Sequence, residues 1–298
     1  MRRGLLVYNP TAGQRDRRGE MSTLIDRQRK RGLELVNAPT SGPGDATEIV
    51  KSFLPRGLDV VAVCGGDGTI SEAARGLEGS AVPLAVLPGG TSNVLAIELG
   101  IPSSPEKAEE LFYDGQVHGL RLAHADGRSF LLWAGAGLDA RVMGNMRFAW
   151  KRLLGRAGIF PTAIKEFLRY EFPRLEVTID GASHEATFAV ACRASHYGGK
   201  WVIAPDARLD ADHFDVLLFS HRSRRKLGAM FSLMAAGNAG HLEKGLARIV
   251  RGRHVEIRSL DGPVEIQTDG DTVLSTPVAC RVGTETVNGL VPKRPTKT

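Results

Sequence analysis

The sequence predicts an α/β domain on a parallel sheet over residues 1–120, followed by an antiparallel β-sandwich domain over residues 121–285. Three observations predict this. In the first hundred residues, short β-branched runs end abruptly in glycine-rich loops and lead into helix-compatible segments, the pattern of parallel strands buried on both faces. Beyond about residue 120 the apolar residues alternate strictly, as in half-buried antiparallel strands. A length of 298 residues suits two domains, and 42% hydrophobic content supports two cores.

The first-domain runs are Leu5-Leu6-Val7-Tyr8 before Asn9-Pro10-Thr11-Ala12-Gly13, Asp59 to Cys64 before Gly65-Gly66-Asp67-Gly68-Thr69, and Val82 to Leu87 before Pro88-Gly89-Gly90-Thr91-Ser92-Asn93. In a parallel sheet these loops gather at the carboxyl edge, where open α/β sheets take ligands. The second domain is carried by Leu175-Glu176-Val177-Thr178-Ile179, Val255-Glu256-Ile257-Arg258 and Val264-Glu265-Ile266-Gln267, punctuated by Asp180-Gly181 and Asp261-Gly262 as hairpin turns. A helical insertion is expected over about 142–172, with Arg147, Lys151, Arg152, Arg156, Lys165 and Arg169 set among Phe148, Trp150, Leu153, Leu154, Ile159 and Phe160. Residues 286–298 can return to the first domain, and the Pro/Lys-rich stretch from Pro292 reads as frayed.

Composition narrows the classes. No apolar stretch approaches the roughly 20 residues of a membrane-spanning helix, and no secretory leader is read at Met1-Arg2-Arg3, so a soluble chain is expected. Cys64, Cys192 and Cys280 are odd in number and widely spaced, which offers neither a disulfide framework nor a zinc site and suits a reducing interior. The eight histidines show no ligand spacing. A net charge of +6 favours anionic partners, whether nucleotide, nucleic acid or acidic bilayer.

The chemistry lies in the loops. Consecutive glycines expose backbone N–H groups to a phosphate because no Cβ blocks approach, and a following helix N-terminus adds partial positive charge. Gly65, Gly66, Gly68 and Thr69 fit this description, and so do Gly89, Gly90 and Thr91. A carboxylate among phosphate-facing amides would repel the ligand unless a cation lay between them, so Asp67 implies Mg²⁺. The same residues also fit a tight turn with Asp67 capping a helix, and one of Thr91, Ser92 and Asn93 is expected to cap the helix running to Leu99. Neither GxxxxGK[ST] nor a strand-following GxGxxG occurs, which excludes a P-loop and a dinucleotide fingerprint.

Taken with Gly135-Ala136-Gly137-Leu138-Asp139-Ala140 and Tyr197-Gly198-Gly199-Lys200-Trp201-Val202-Ile203-Ala204-Pro205, the ordered loops resemble the blocks of the diacylglycerol kinase catalytic-domain family, which includes sphingosine, ceramide and bacterial lipid kinases. GGDGT alone is shared with NAD kinases and phosphofructokinases; the ordered set is far more specific. The resemblance implies an NAD kinase- or phosphofructokinase-like first domain, a β-sandwich second domain, an active site in the cleft between them, and the use of ATP with Mg²⁺. It also implies that Asn9, Thr11, Asp67, Gly68 and Thr91 line the nucleotide site, and that the product is a phosphorylated lipid.

Where the family normally shows Asp-Gly-Glu, this chain has Asp269-Gly270-Asp271. Phosphoryl transfer needs a carboxylate to take the attacking hydroxyl's proton, and Asp271 is the candidate, although its carboxylate sits about 1.5 Å nearer its backbone than a Glu would. Asp269 is expected to orient the catalytic metal or its waters. Sequence pattern alone reads the same residues as an Asp-Gly hairpin turn. The family's structural Mg²⁺ would correspond to Asp210 and Asp215, with Ala211-Asp212 replacing the usual Asp-Gly between them; a solvated acidic turn is the other reading.

A bilayer acceptor requires surface contact, so the insertion and the cluster Arg222, Arg224, Arg225 and Lys226 are candidates for an anionic membrane surface at the inner, cytoplasmic face; a solvated amphipathic helix packed on the sandwich is the commoner source of such a pattern. No stacking motif supports nucleic acid. A homodimer stays open. The rival activities are an NAD kinase, whose Asn-Glu pair does not follow GGDGT here, and a degenerate nucleotide- and membrane-binding protein.

Overall fold

The computed structural model describes residues 1–14, 16–145 and 161–293. The chain divides into two compact units, 1–120 with 285–298, and 121–284.

In the first unit four strands, β1 (Arg2–Tyr8), β2 (Leu33–Pro39), β3 (Val60–Gly65) and β4 (Leu84–Pro88), pair in parallel in the order β2-β1-β3-β4. All six residues of β3 and all five of β4 are buried, as continuous β-branched runs require when both faces are covered. β2 alternates buried and exposed because it lies at the edge, and that pattern separates it from the continuous runs of its neighbours. Helices α1 (Arg18–Lys30), α2 (Asp45–Phe53), α3 (Asp67–Gly76) and α4 (Val94–Glu98) follow the strands in turn. The chain leaves β1 toward β2 on one side and leaves β3 toward β4 on the other, so the strand order reverses between β1 and β3. Open α/β sheets bind ligands outside the carboxyl ends of the strands at such a point. Two short helices, α5 (Pro105–Ala108) and α6 (Leu111–Asp114), complete the unit's run before β5 (Gln116–Ala125).

The second unit holds β6 (Arg128–Phe130), β7 (Trp133–Ala136), α7 (Leu138–Asn145), α8 (161–168), β8 (Leu175–Ile179), β9 (Ala182–Ala186), β10 (Phe188–Cys192), β11 (His196–Tyr197), β12 (Trp201–Val202), β13 (Phe214–Phe219), α9 (Arg224–Ala235), α10 (Gly240–Glu243), β14 (Arg248–Gly252), β15 (His254–Ser259), β16 (Glu265–Thr268), β17 (Asp271–Ser275) and the long β18 (Val278–Val291), whose end returns to the first unit. One antiparallel sheet runs β14-β13-β10-β7-β16-β17. In the other, β18 pairs with β15, β15 with β8 and β8 with β9, all antiparallel. Their inner faces share a core of Phe130, Val177, Ala189, Phe214, Val216, Val255, Ile257 and Ile266, the construction of a β-sandwich.

Asp180-Gly181 is a hairpin, with φ of 46° and 88°, the left-handed pair that a type I′ turn needs. Asp261-Gly262 is not. It joins β15 to β16, which lie in different sheets, and Asp261 instead pairs with Arg174 at 2.7 Å. β15 alternates as expected, whereas β16 buries Ile266, Gln267 and Thr268 in succession, so its polar side is covered as well. Of the expected insertion, α7 begins earlier, at Leu138, and 146–160 lie outside the described residues, taking with them Arg147, Phe148, Trp150, Lys151, Arg152, Leu153, Leu154, Arg156, Ile159 and Phe160. The three cysteines are buried, and none is in a disulfide.

Candidate functional site

The three glycine-bearing loops of the first unit meet. Asn9 N–H donates to the carbonyl of Cys64 at 3.1 Å, and Gly89 N–H donates to the carbonyl of Gly65 at 2.9 Å, so the exits of β1, β3 and β4 are stitched in a row. Two of the glycines are required by this closeness. A Cβ on Gly90 would overlap the Cα of Gly66, and one on Gly13 would come 2.8 Å from the carbonyl oxygen of Gly89. The candidates Asn9, Thr11, Gly65, Gly66, Asp67, Gly68, Thr69, Gly89, Gly90 and Thr91 are thus gathered at one sheet edge.

Gly66, extended, is the N-cap of α3, and Asp67 is the first helical residue. Asp67 is therefore not the cap, and the glycine that is has no side chain to offer the first-turn N–H groups. A Cβ on Gly68 would meet nothing within 4 Å, so the first turn is open at that position. Half-buried Asp67 accepts the Leu95 N–H at 3.0 Å through Oδ1, which anchors the start of α4. Magnesium bound with a nucleotide takes most of its ligands from phosphate and water and needs only one or two carboxylates, so the single Asp67 carboxylate fits that ion, while the helix start without a side-chain cap suits the phosphates.

The remaining loop contacts are local. Asn9 Oδ1 accepts the Thr11 N–H at 3.0 Å and its hydroxyl at 3.1 Å, which shapes the turn after β1. Asn93 stands at the N-cap of α4, as expected, but its side chain gives the helix no hydrogen bond: at φ 49° its amide exchanges hydrogen bonds with the Gly90 backbone at 2.9 and 3.1 Å, and closes the loop on itself.

Two side chains that sequence reasoning passed over hold this edge. Arg17 donates to the carbonyls of Gly89 at 2.8 Å and Ala12 at 3.0 Å and pairs with Glu20 at 3.0 Å, locking the first loop to the third. It sits in the charged run Arg15-Asp16-Arg17-Arg18, which reads as a solvated face. Glu72, buried on α3, accepts the N–H groups of Gly44 at 2.8 Å and Ala46 at 3.3 Å, giving the start of α2 a carboxylate acceptor that its own cap residue, Gly44, cannot supply.

In the second unit, Asp269 and Gly270, with φ of 50° and 90°, form the two-residue turn between β16 and β17, where Thr268 faces Asp271. The hairpin and the candidate base are one feature: the turn sets Asp271 at the tip. Asp271 is half-exposed and receives Arg128 Nη2 at 3.2 Å. Asp269 departs from its expected metal-orienting place. It is buried, and its oxygens accept the N–H groups of Leu131, Leu132 and Trp133 at 2.8, 2.7 and 3.2 Å, so its carboxylate holds the β6–β7 connection.

The expected structural magnesium site at Asp210 and Asp215 is corrected. Asp210 pairs with Arg208 at 2.8 Å, Asp215 with Arg251 at 2.7 Å, and Asp212 with Arg253. Fully buried Arg193 donates to the carbonyls of Leu209 at 2.8 Å and His213 at 2.6 Å. Burial lowers its guanidinium only to about 10, so it is a cation at neutral pH. Guanidinium groups occupy the place of a cation in this segment, and among the described residues no three acidic, His or Cys side chains converge. The residues do not fit the ion.

Residues 3–125 match the family model for the diacylglycerol kinase catalytic domain, and residues 133–291 match the model for the YegS C-terminal NAD kinase beta sandwich-like domain. A diacylglycerol kinase of Mycobacterium tuberculosis is 26% identical over 275 residues, covering 89% of this chain and 87% of that protein. A crystal structure of a diacylglycerol kinase from Bacillus anthracis str. Sterne superposes with a TM-score of 0.74 at 22% identity, covering 97% of this chain and 96% of that one. An NAD kinase from Archaeoglobus fulgidus, solved in complex with ATP, shares the fold more distantly, with a TM-score of 0.55 at 12% identity over 98% of this chain and 94% of that one.

Proposed function

The chain belongs to the diacylglycerol kinase catalytic-domain family, and from that premise we propose that it is an ATP-dependent lipid kinase acting on the hydroxyl of diacylglycerol or a close relative such as ceramide, a sphingoid base or phosphatidylglycerol. The observation that carries the reading is the convergence of three glycine-lined strand exits beside the glycine-capped start of α3. Exposed amides and a helix N-terminus suit a phosphate chain. Asp67 would hold the magnesium that accompanies ATP, and that ion would neutralise phosphate charge during transfer.

In this reading the lipid oxygen bonds to the γ-phosphorus, the bond to the β–γ bridging oxygen breaks, and the hydroxyl proton passes to the Asp271 carboxylate, leaving ADP and a phosphorylated lipid. Arg128 beside Asp271 keeps a cation next to the acceptor of that proton.

A lipid acceptor calls for a bilayer, and we take the contact to be peripheral, on an anionic inner face. Among the described residues no helix is long and apolar enough to cross a membrane. Helix α8 exposes Ile164 and Leu168 one turn apart, beside exposed Lys165 and Arg169. Apolar and cationic groups on one face suit shallow insertion with coulombic attraction.

The test is ATP phosphorylation over a panel of lipid micelles, with NAD as a control acceptor. A radiolabelled lipid phosphate is expected. Phosphorylation of NAD without lipid, or ATP binding with no turnover on any lipid, would overturn the reading.

A further inference from the structure

The hairpin that carries Asp271 is held from behind by a buried pair. Asp139, the second residue of α7, is buried, and its Oδ2 accepts from Gln267 Nε2 at 3.1 Å and from the Tyr197 hydroxyl at 3.1 Å, while Oδ1 accepts the Ala140 N–H at 2.7 Å. Gln267, on β16 and itself buried, turns its Oε1 to the Gly270 N–H at 2.7 Å. Gly270 is the residue before Asp271, at the positive-φ apex of the turn. The Thr272 hydroxyl, on the far side of Asp271, donates to the Ala140 carbonyl at 3.1 Å. The start of α7 therefore grips the turn on both sides of Asp271. Room for the carboxylate comes from Gly135 on β7, where a Cβ would run into Asp139.

The polarity of this relay is forced. A backbone N–H can only donate, and an ionised carboxylate can only accept. Gln267 satisfies both ends in one orientation alone, with oxygen toward Gly270 and nitrogen toward Asp139. A flipped amide would set its NH₂ against the Gly270 N–H and its oxygen against the carboxylate. Because both Asp139 oxygens already accept, the carboxylate fixes the flip, and the flip fixes the turn.

We propose that Asp139 is a positioning residue for Asp271, acting through Gln267, whose amide it orients so that Oε1 holds the Gly270 N–H and thereby aims the base. The inference rests on the reading of Asp271 as that base.

The relay can be reversed by exchanging its chemistry. In Asp139→Asn, the Oδ1 side still accepts the Ala140 N–H, so the new NH₂ faces Gln267, which must flip and abandon Gly270. In Gln267→Glu, one oxygen still meets Gly270 while the other opposes the Asp139 carboxylate. The double variant restores the relay with its polarity mirrored: the amide of Asp139→Asn donates to the carboxylate of Gln267→Glu, whose second oxygen accepts the Gly270 N–H.

The experiment measures lipid phosphorylation by both single variants and the double variant, with thermal melting as a fold check. Each single variant is expected to lose about tenfold in kcat with the KM for ATP unchanged, and the double variant to return to within about threefold of the parent. Hydrogen–deuterium exchange of the peptide spanning Gln267 to Thr272 gives a readout without turnover: faster in the singles, restored in the double. Singles with parental kcat and exchange, or a double no better than the worse single, would overturn the proposal. If the parent phosphorylates no lipid, the kinase reading falls by itself, and the exchange pattern still supports or overturns the relay.

Discussion

Gly90 and Gly66 touch backbone to backbone: a Cβ on Gly90 would lie inside the van der Waals shell of the Gly66 Cα. Gly90→Ala must therefore spread the exits of β3 and β4 by moving backbone. Such overpacking costs about 1–3 kcal/mol, and the spread falls on the edge read as the phosphate cradle. The expected outcome is a lower urea midpoint and a rise of about tenfold or more in the KM for ATP, the latter by misplacement of phosphate-facing amides. A KM for ATP equal to the parent's in a folded variant would remove the cradle from this edge. Gly68→Ala, at an open position, is the control and should leave the midpoint near that of the parent.

Asp67 has a structural and a proposed chemical task, and one substitution separates them. Asp67→Asn retains an oxygen for the Leu95 N–H but removes the charge. The melting temperature should change little, whereas the phosphorylation rate should fall by more than about a hundredfold from lost charge stabilisation. Isothermal titration with MgATP should show the same loss as weakened binding that extra magnesium does not restore. A variant that keeps parental turnover would free Asp67 of any metal role.

How far these features could be read from the sequence depends on whether their cause is local. The buried strands β3 and β4 and their glycine exits announce themselves because continuous β-branched runs and Gly pairs are local signals. Edge strand β2 alternates like a strand of the sandwich, so periodicity gave no reason to set it in the parallel sheet. Asp261-Gly262 carries the same dipeptide as Asp180-Gly181, yet one joins two sheets and the other two neighbouring strands; only long-range pairing separates them. The tasks of Asp269, Glu72, Arg17 and Gln267 are equally invisible, because each depends on a partner 28 to 138 residues away: the Gly44 N–H for Glu72, the Leu131 N–H for Asp269, the Gly89 carbonyl for Arg17 and the Asp139 carboxylate for Gln267.

Asp271 should tolerate restoration of the longer acid but not loss of charge. Asp271→Asn cannot accept the hydroxyl proton and is expected to lose about 10²–10⁴ in kcat. Asp271→Glu keeps a carboxylate at the half-exposed hairpin tip beside Arg128, and should retain activity within about tenfold of the parent. Steady-state kinetics on mixed micelles checks both. Equal loss in the two variants would show that position rather than proton acceptance governs the residue.

The arginine-held acidic segment should be indifferent to magnesium. With Asp210, Asp212 and Asp215 paired to Arg208, Arg253 and Arg251, EDTA is expected to leave the apo melting temperature unchanged. Arg251→Met should instead destabilise, since it strands the buried Asp215 carboxylate, and the urea midpoint should fall below that of the parent. A melting temperature that rises with magnesium in the absence of nucleotide would restore the ion to this segment.

Asp139 gives stability an unusual pH dependence. Burial pushes its carboxyl up to about 6 from an ordinary 3.8, against the hydrogen bonds of Gln267, Ala140 and Tyr197, which favour the charged form. The titratable groups facing it bring no relief: the Tyr197 and Tyr170 hydroxyls are themselves pushed upward by burial and by the Asp139 charge. A folded-state value above the unfolded one means that the folded chain binds the extra proton between about pH 4 and pH 6, so this group costs stability above pH 6 and the cost is relieved on acidification. A shift of that size corresponds to about 3 kcal/mol at most. Asp139→Asn carries no titrating group there, so the stability difference, parent minus variant, should rise as pH falls from 6 to 4, after which it should level off. Urea midpoints of the two proteins across that range measure it directly. A difference that fell on acidification would mean that the carboxylate is stabilised in the fold, and that its hydrogen bonds outweigh its burial.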